Sequence, residues 1–456
     1  MINAKNQIYL MLLLLVTIVY GKKQLTKQRV CIIGAGMSGL VSVKQLATNL
    51  SNVEPIVFEK ASDIGGQWRY TDSTDVDEHG LPVHTSIYKN LSRLNLLRCR
   101  TNSPKVLMTF PDYKEFHGEN RSYVKHETVL EYLTNFTEHF NLRQYIKFNI
   151  LVERVSQRHD NSWRIRTRNL NLNEIEVYTC DALMVCNGHF TKPNVPIIPG
   201  LDTFPGRTLH SHTYRRPEEF SNKTLVILGA SESGIDIGIG ISKYAKTVYL
   251  SHRHKKLTVE LPKNLIQIPG VVAADGSDLI LSDSSRIKAD AFLMCTGYLY
   301  DFPFITDSSG ITVTKGKYVH PLYKHFVNIN NPTMVFTGLP YPSFPFFVSY
   351  VQAQYFLSIL RGTVKLPTRK VMLKESQLPP GTPVTKAHYM AIEVLDYYDD
   401  LAIAAGIEPS SKPTKKAVEI FFDDFKNNPM HFKENELIIR DDGNVELYRP
   451  SNTCHS

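Results

Sequence analysis

Six cysteines in 456 residues form no CxxC pair and no zinc-type spacing. That excludes a metal site of that kind and a disulfide scaffold. Cys31, Cys186 and Cys295 lie inside apolar, strand-like runs and read as buried free thiols, leaving Cys99, Cys180 and Cys454. The net charge of +8 is spread without a dense basic run, so nucleic acid is not an expected partner. No internal repeat or low-complexity tract is present, and no apolar run reaches the roughly 20 residues a membrane span needs. The apolar stretch near the N-terminus, Ile8 to Val19, is too short for that. Preceded by Lys5 and followed by Tyr20-Gly21 and Lys22-Lys23, it reads as a signal peptide over residues 1–21. The expected location is therefore extracellular, with an uncleaved anchor in the endoplasmic reticulum as the alternative. Sequons at Asn49, Asn90, Asn120, Asn135 and Asn222 would carry glycans on that route. The C-terminus, Ser451 to Ser456, is polar and offers no stable membrane anchor.

What the chain does contain is two glycine-rich turns, each set between a strand and a helix. The first is Gly34-Ala35-Gly36-Met37-Ser38-Gly39, between the β-rich run Val30-Cys31-Ile32-Ile33 and a helical pattern from Leu40 to Leu46. Gly34 permits the tight bend, Gly36 lets the backbone approach a pyrophosphate, and Gly39 lets the helix pack on the strand. The helix N-terminus then presents free N–H groups and the positive end of its dipole. A second strand, Pro55-Ile56-Val57-Phe58, ends in Glu59, placed to accept hydrogen bonds from ribose hydroxyls. Next comes Gly65-Gly66-Gln67-Trp68, where two glycines let the backbone bend close to a ligand. Trp68 offers a flat apolar ring, either to that ligand or to the core.

The second turn, Gly229-Ala230-Ser231-Glu232-Ser233-Gly234, follows the strand Thr224–Leu228 and opens a helix at Ile235-Asp236-Ile237. Ser231 replaces the middle glycine; it is small, and its hydroxyl can reach a phosphate oxygen. The next strand, Thr247–Leu250, ends in Ser251-His252-Arg253-His254-Lys255-Lys256. A cation cluster where the first unit carries Glu59 suits a 2′-phosphate, which Arg253 would grip through two hydrogen bonds. The unit thus reads as an NADPH site, a solvated basic loop being the plainer alternative. Two turns imply two dinucleotides on one scaffold, with electrons passing between them.

Between the turns, Phe204-Pro205-Gly206-Arg207-Thr208-Leu209-His210-Ser211-His212-Thr213-Tyr214 fits F-x-G-x-x-x-H-x-x-x-Y/F. Together with Phe110-Pro111-Asp112-Tyr113, Val185-Cys186-Asn187-Gly188-His189 and Cys295-Thr296-Gly297-Tyr298, it makes the chain resemble the flavin-containing monooxygenases from about Gln28 to Asn435. The resemblance implies an α/β fold of two Rossmann-like domains, one for FAD and one for NADPH, the smaller inserted in the larger. The FAD domain would take residues 22–215 and 291–456, the latter including a C-terminal helical region, and the NADPH domain about 216–290. Tyr389 to Ala405 has helical spacing, and the C-terminal region is assigned no chemistry.

On the same resemblance, Gly34, Ala35, Gly36, Met37, Ser38, Gly39, Glu59, Gln67, Trp68 and Thr101 hold FAD. Gly229, Ser231, Ser233, Gly234, Asp236 and Arg253 hold NADPH. Asn102 is the candidate catalytic residue, holding NADP⁺ and the oxygenated flavin. The implied reaction is reduction of FAD by NADPH and addition of O₂ to give a C4a-hydroperoxide. That species then oxygenates the nitrogen of a tertiary amine or the sulfur of a sulfide. The secreted insect members that N-oxygenate pyrrolizidine alkaloids are the most similar branch.

The chain departs from the family at Ser92 to Cys99, about eight extra residues just before Thr101-Asn102. Such an insertion either reshapes substrate entry or leaves a catalytically impaired flavoprotein. Baeyer–Villiger monooxygenases, which carry Trp where this chain has Tyr214, are a further alternative. A flavin disulfide reductase would need a cysteine pair close after Gly65-Gly66, and there is none. A homo-oligomer is left open.

Overall fold

The computed structural model describes residues 27–83, 100–252, 256–258, 260–428 and 431–449. Fully buried apolar runs flanked by glycine turns make parallel strands covered on both faces. In the first unit, β1 (Gln28–Ile33) runs into α1 (Met37–Asn49), which returns to β2 (Val53–Phe58). β1 is central: Cys31 pairs with Ile56 on one side and with Leu183 of the strand Ala182–Val185 on the other. The sheet has seven strands in the order 322–323, 327–328, 334–336, 182–185, β1, β2, 146–147. It therefore takes strands from both ends of the chain.

The second unit repeats the motif with β3 (Thr224–Leu228), α2 (Glu232–Ser242) and β4 (Thr247–Ser251). Its sheet of five parallel strands runs 265–268, β4, β3, 291–294, 207–210. Two neighbouring strands of this sheet, 207–210 at its edge and 291–294 beside it, lie on either side of the 216–290 range expected for this unit. The second unit is inserted between the segments that build the first sheet, and the expected fold class holds. Each unit has its own apolar core, one around Val41, Phe136 and Phe356, the other around Ile227, Ile241 and Leu293.

One expectation about the cysteines is overturned. Cys31 is joined to Cys180 in a disulfide, with Cα atoms 5.9 Å apart. Cys180 ends the strand Glu174–Cys180 just before the chain enters Ala182–Val185, the strand beside β1, so the fold brings two residues 149 positions apart within bridging reach. Cys186 and Cys295 are free and buried, as expected; Cys99 and Cys454 lie outside the described residues. Among the described residues no group of acidic, histidine or cysteine side chains is arranged to hold a metal, and no helix is long and apolar enough to cross a membrane.

The C-terminal region carries helices Val394–Ala405 and Lys412–Asn427 and a hairpin of Glu436–Ile439 with Val445–Tyr448. It is stitched back onto the first unit. Ser122 Oγ donates to Leu437 O (3.0 Å), and Leu437 N donates to Ser122 Oγ (2.8 Å).

Candidate active site

The two glycine turns are built alike. Gly34 has φ +101°, and a Cβ there would lie 2.6 Å from the carbonyl oxygen of Cys186. Gly229 has φ +111°, and its Cβ would lie 2.5 Å from the carbonyl oxygen of Cys295. Both conditions demand glycine. Gly39 and Gly234 are locked by contact: added Cβ atoms would sit 1.9 and 1.8 Å from the carbonyl oxygens of Gly34 and Gly229. Each turn is thus closed from behind by the residue just after a later strand of its sheet.

Gly36 plays another part. It faces Gly66 across a gap where an added Cβ would make only ordinary contact, 3.6 Å from Gly66 Cα, and Gly65 N donates to Ala35 O at 3.1 Å. No side chain caps the N-terminus of α1 and no acid lies in its first turn, so its first N–H groups suit an anion. Ser38 Oγ is instead 2.9 Å from Ser349 Oγ of the helix Pro345–Leu360. Met37 is half-buried beside the core, and Gln67 and Trp68 form a short turn in which Trp68 packs partly on the first core.

Glu59 is buried against this turn. Its Oε2 accepts from Ala35 N at 2.6 Å and its Oε1 from Ala61 N at 2.8 Å. Burial pushes its carboxyl above the ordinary range, although the two backbone N–H groups, Lys60 and Arg69 oppose this. Each carboxylate oxygen accepts one such bond and retains a lone pair for a ribose hydroxyl.

In the second turn Ser231 caps α2 through its backbone alone, and Ser231 and Ser233 are exposed. Arg253 lies outside the described residues. The F-x-G segment joins the units. His212 N donates to His210 Nδ1 at 3.0 Å, so Nδ1 is unprotonated and Nε2 donates to Gly297 O at 3.1 Å. Burial, helped by His212, lowers the His210 pKa to about 4. The ring is a neutral bracket between two segments. Tyr214 is buried and stacks on Phe220 within the second core. Arg215 bridges back to the first unit, donating to Thr71 O (3.0 Å) and Ser73 O (2.9 Å).

Thr101 is buried behind Asn102. Its hydroxyl donates to Ser103 O at 2.7 Å and accepts from Val124 N at 3.3 Å, bracing the loop. Asn102 is exposed, and its amide meets the second unit: Nδ2 donates to Glu232 Oε2 at 3.1 Å. Lys433 Nζ donates to Asn102 Oδ1 at 2.7 Å and to Asp236 Oδ2 at 2.5 Å. Asp236, expected as a cofactor contact, is therefore engaged by a lysine from the C-terminal region. Glu232 keeps accessible surface, yet the surrounding protein disfavours its charge. Its carboxyl lies above the ordinary range, Asp236 adding to the rise while Lys433 and Asn102 oppose it.

Sequence reasoning missed Glu232 and Lys433. Glu232 sits inside the glycine turn and was open to notice; Lys433 carried no local signal. The insertion Ser92–Cys99 lies outside the described residues.

Two parallel-sheet dinucleotide folds, one inserted in the other and joined by a histidine-braced segment, define an oxidoreductase with two dinucleotide cofactors. Residues 27–261 and 256–433 match the flavin-binding monooxygenase-like family (FMO-like), and the chain belongs to it. Its cofactors are accordingly FAD and NADPH, which the uncapped α1 N-terminus, the Gly36–Gly66 cradle and the ribose-ready Glu59 suit.

Flavin-containing monooxygenase FMO GS-OX3 of Arabidopsis thaliana is 35% identical over 374 residues, 78% of each chain. Senecionine N-oxygenase of Tyria jacobaeae is 33% identical over 429 residues, 90% of each chain. The solved structure of S-allyl-L-cysteine S-oxygenase from Allium sativum has a TM-score of 0.81 at 30% identity, covering 89% of this chain and 95% of that one. Cyclohexanone monooxygenase, at 14% identity and a TM-score of 0.59, shares the fold alone.

Proposed function

We propose that this monooxygenase N-oxygenates tertiary amines, and that plant alkaloids of the pyrrolizidine type are its substrates. The likeness to senecionine N-oxygenase along 90% of both chains carries this reading. Tyr214, standing where Baeyer–Villiger enzymes carry Trp, supports heteroatom oxygenation. Sulfides are the second reading, favoured by the likeness to an S-allyl-L-cysteine S-oxygenase. The apolar stretch Ile8–Val19 supports export, with detoxification outside the cell as the role.

FAD, when bound, would supply the redox chemistry, with NADPH as the hydride source and O₂ giving one atom to the substrate and the other to water. The chain's own residues bind, orient and exclude water. In this reading the N–H groups that open α1, at Met37 and Ser38, hold the pyrophosphate, with Gly36 and Gly66 keeping side chains out of its way. Glu59 would accept from the ribose, Gln67 and Trp68 would contact FAD, and Thr101 sets the Asn102 loop. Gly229, Ser231, Ser233 and Gly234 receive the second pyrophosphate, with Arg253 on the 2′-phosphate. Asn102 stands where the two units meet and would contact both cofactors. His210 braces the segment between the units through its bond to Gly297 O.

The test is an assay of the purified protein with NADPH and O₂ across amines, sulfides and cyclic ketones, with products identified by mass spectrometry. N-oxides from pyrrolizidine alkaloids are expected. Lactones without N-oxides, or NADPH consumption indifferent to every amine and sulfide, would overturn the reading.

A further inference from the structure

Lys433 is a tightly held cation of the junction. Its side chain is 5% exposed, and a buried ammonium is stable only when paired and fully hydrogen-bonded. Both conditions are met. The three hydrogens of the ammonium find three acceptors: Asp236 Oδ2 at 2.5 Å, Asn102 Oδ1 at 2.7 Å and Arg100 O at 3.3 Å. Those acceptors belong to different parts of the chain. Arg100 and Asn102 lie on the loop of the first unit, and Asp236 lies on α2 of the second.

The lysine itself is held firmly from behind. It sits in a one-turn helix, Phe432–Glu434, whose Phe432 is buried edge-on against Tyr123 with ring centroids 5.3 Å apart. Asn435 beside it donates to the buried carboxylate of Asp424 at 2.7 Å. The adjoining strand is bound to Ser122, two residues from Val124, whose carbonyl accepts from Thr101 N at 2.9 Å. Lys433 is thus presented from a packed platform.

The chemistry of the contact has one consequence. An ammonium only donates, so the Asn102 atom facing it must be the carbonyl oxygen. The amide can no longer flip, and its N–H₂ group must turn toward Glu232 and the first turn of α2. Without this partner the orientation would rest on the single bond from Nδ2 to Glu232 Oε2, and the carbonyl oxygen would lose its donor.

We propose that Lys433 is a positioning residue of the oxygenation: it fixes the orientation of the Asn102 amide and ties it, through Asp236, to the helix of the NADPH unit. This rests on the reading of Asn102 as an active-site residue. Lys433 acts through Asn102, and Asp236 is its anchor.

The test compares Lys433→Met, Asp236→Asn, Asn102→Ala and the double variant Asn102→Ala/Lys433→Met, all as flavin-loaded full-length protein. Two quantities are read: the dissociation constant of NADP⁺, from the perturbation of the flavin visible spectrum, and the fraction of consumed NADPH that ends as hydrogen peroxide. For Lys433→Met we expect full flavin content, NADP⁺ binding weakened about tenfold, equivalent to about 1.4 kcal/mol, and a peroxide fraction raised several-fold. The double variant should be no worse than Asn102→Ala alone, since the two residues act through one contact.

Impaired Asn102→Ala beside unimpaired Lys433→Met overturns the proposal and leaves the role of Asn102 standing. Defects that multiply in the double variant also overturn it. Unimpaired Asn102→Ala overturns both. Should Lys433→Met fail to fold, Asp236→Asn carries the same test: the same two quantities must move in the same direction, and unchanged values overturn the proposal.

Discussion

Glu59 Oε2 lies 2.6 Å from the backbone nitrogen of Ala35, so the carboxylate at the end of β2 is bonded into the glycine turn at the end of β1. The acid is part of the turn as well as a candidate ligand for the ribose. Glu59→Gln keeps the shape but replaces one acceptor oxygen with an N–H₂ group, which cannot accept from Ala35 N or Ala61 N. Loss of hydrogen bonds to a charged group costs about 1.5–3 kcal/mol, so FAD affinity should fall roughly ten- to hundredfold. Flavin content after gel filtration, and its recovery with added FAD, measures this.

The two units should fail separately. Gly39→Ala places a methyl 1.9 Å from the carbonyl oxygen of Gly34, and Gly234→Ala does the same at 1.8 Å from Gly229. Overpacking of this kind costs about 1–3 kcal/mol or more. Gly39→Ala should be isolated colourless. Gly234→Ala should keep its flavin, which dithionite reduces but NADPH does not. The absorbance at the flavin maximum under each reductant reads the difference, and the opposite pattern would reverse the assignment of the two turns.

Acid should weaken the fold through buried neutral histidines. Burial lowers the pKa of His210 to about 4 and that of His388 to about 3, with His325 contributing beside His388. His388 Nε2 accepts from Val319 N at 3.1 Å and is 1% exposed. Because the folded values lie below the unfolded 6.5, the unfolded chain takes up protons first. Stability is therefore lost as pH falls from about 6.5 toward 3–4, by a few kcal/mol in all. Glu59 acts with the opposite sign: its raised value makes the folded carboxyl the stronger proton acceptor, so it gains stability as pH falls through that value. His388→Gln isolates the histidine term; its urea midpoint should fall less steeply between pH 6.5 and 4.5 than that of the unaltered chain.

Removing the disulfide should destabilise without touching the chemistry. Cys180→Ala frees Cys31 within the core, and loss of a native disulfide costs about 2–5 kcal/mol. The thermal midpoint should drop by several degrees, while the flavin spectrum and the peroxide fraction stay unchanged. A shift in the peroxide fraction would tie the crosslink to the site.

Much of this was legible because the dinucleotide turns are local. Gly34, Gly39 and Glu59 lie within one strand–turn–helix–strand run, and Gly229 and Gly234 repeat it, so short-range sterics announce both units. The contacts that sequence reasoning missed are long-range. Asn102 and Lys433 are 331 positions apart, and Asn102 and Glu232 130 apart. Nothing in the neighbourhood of Lys433 marks it, since the residue matters only once the C-terminal turn is packed against Tyr123. Cys31 was misread for the same reason. An apolar strand pattern reports burial, not the neighbour that a second strand will bring.

That neighbour bears on how the protein is made. Cys31 and Cys180 are both fully shielded from solvent, so an oxidant added to the finished fold has no path to them. Material produced in a reducing cytoplasm carries two thiols in that place and is a different covalent species. Measurements of its lifetime or yield would describe that species, and a host that oxidises the chain while it is still open is the route to the crosslinked one.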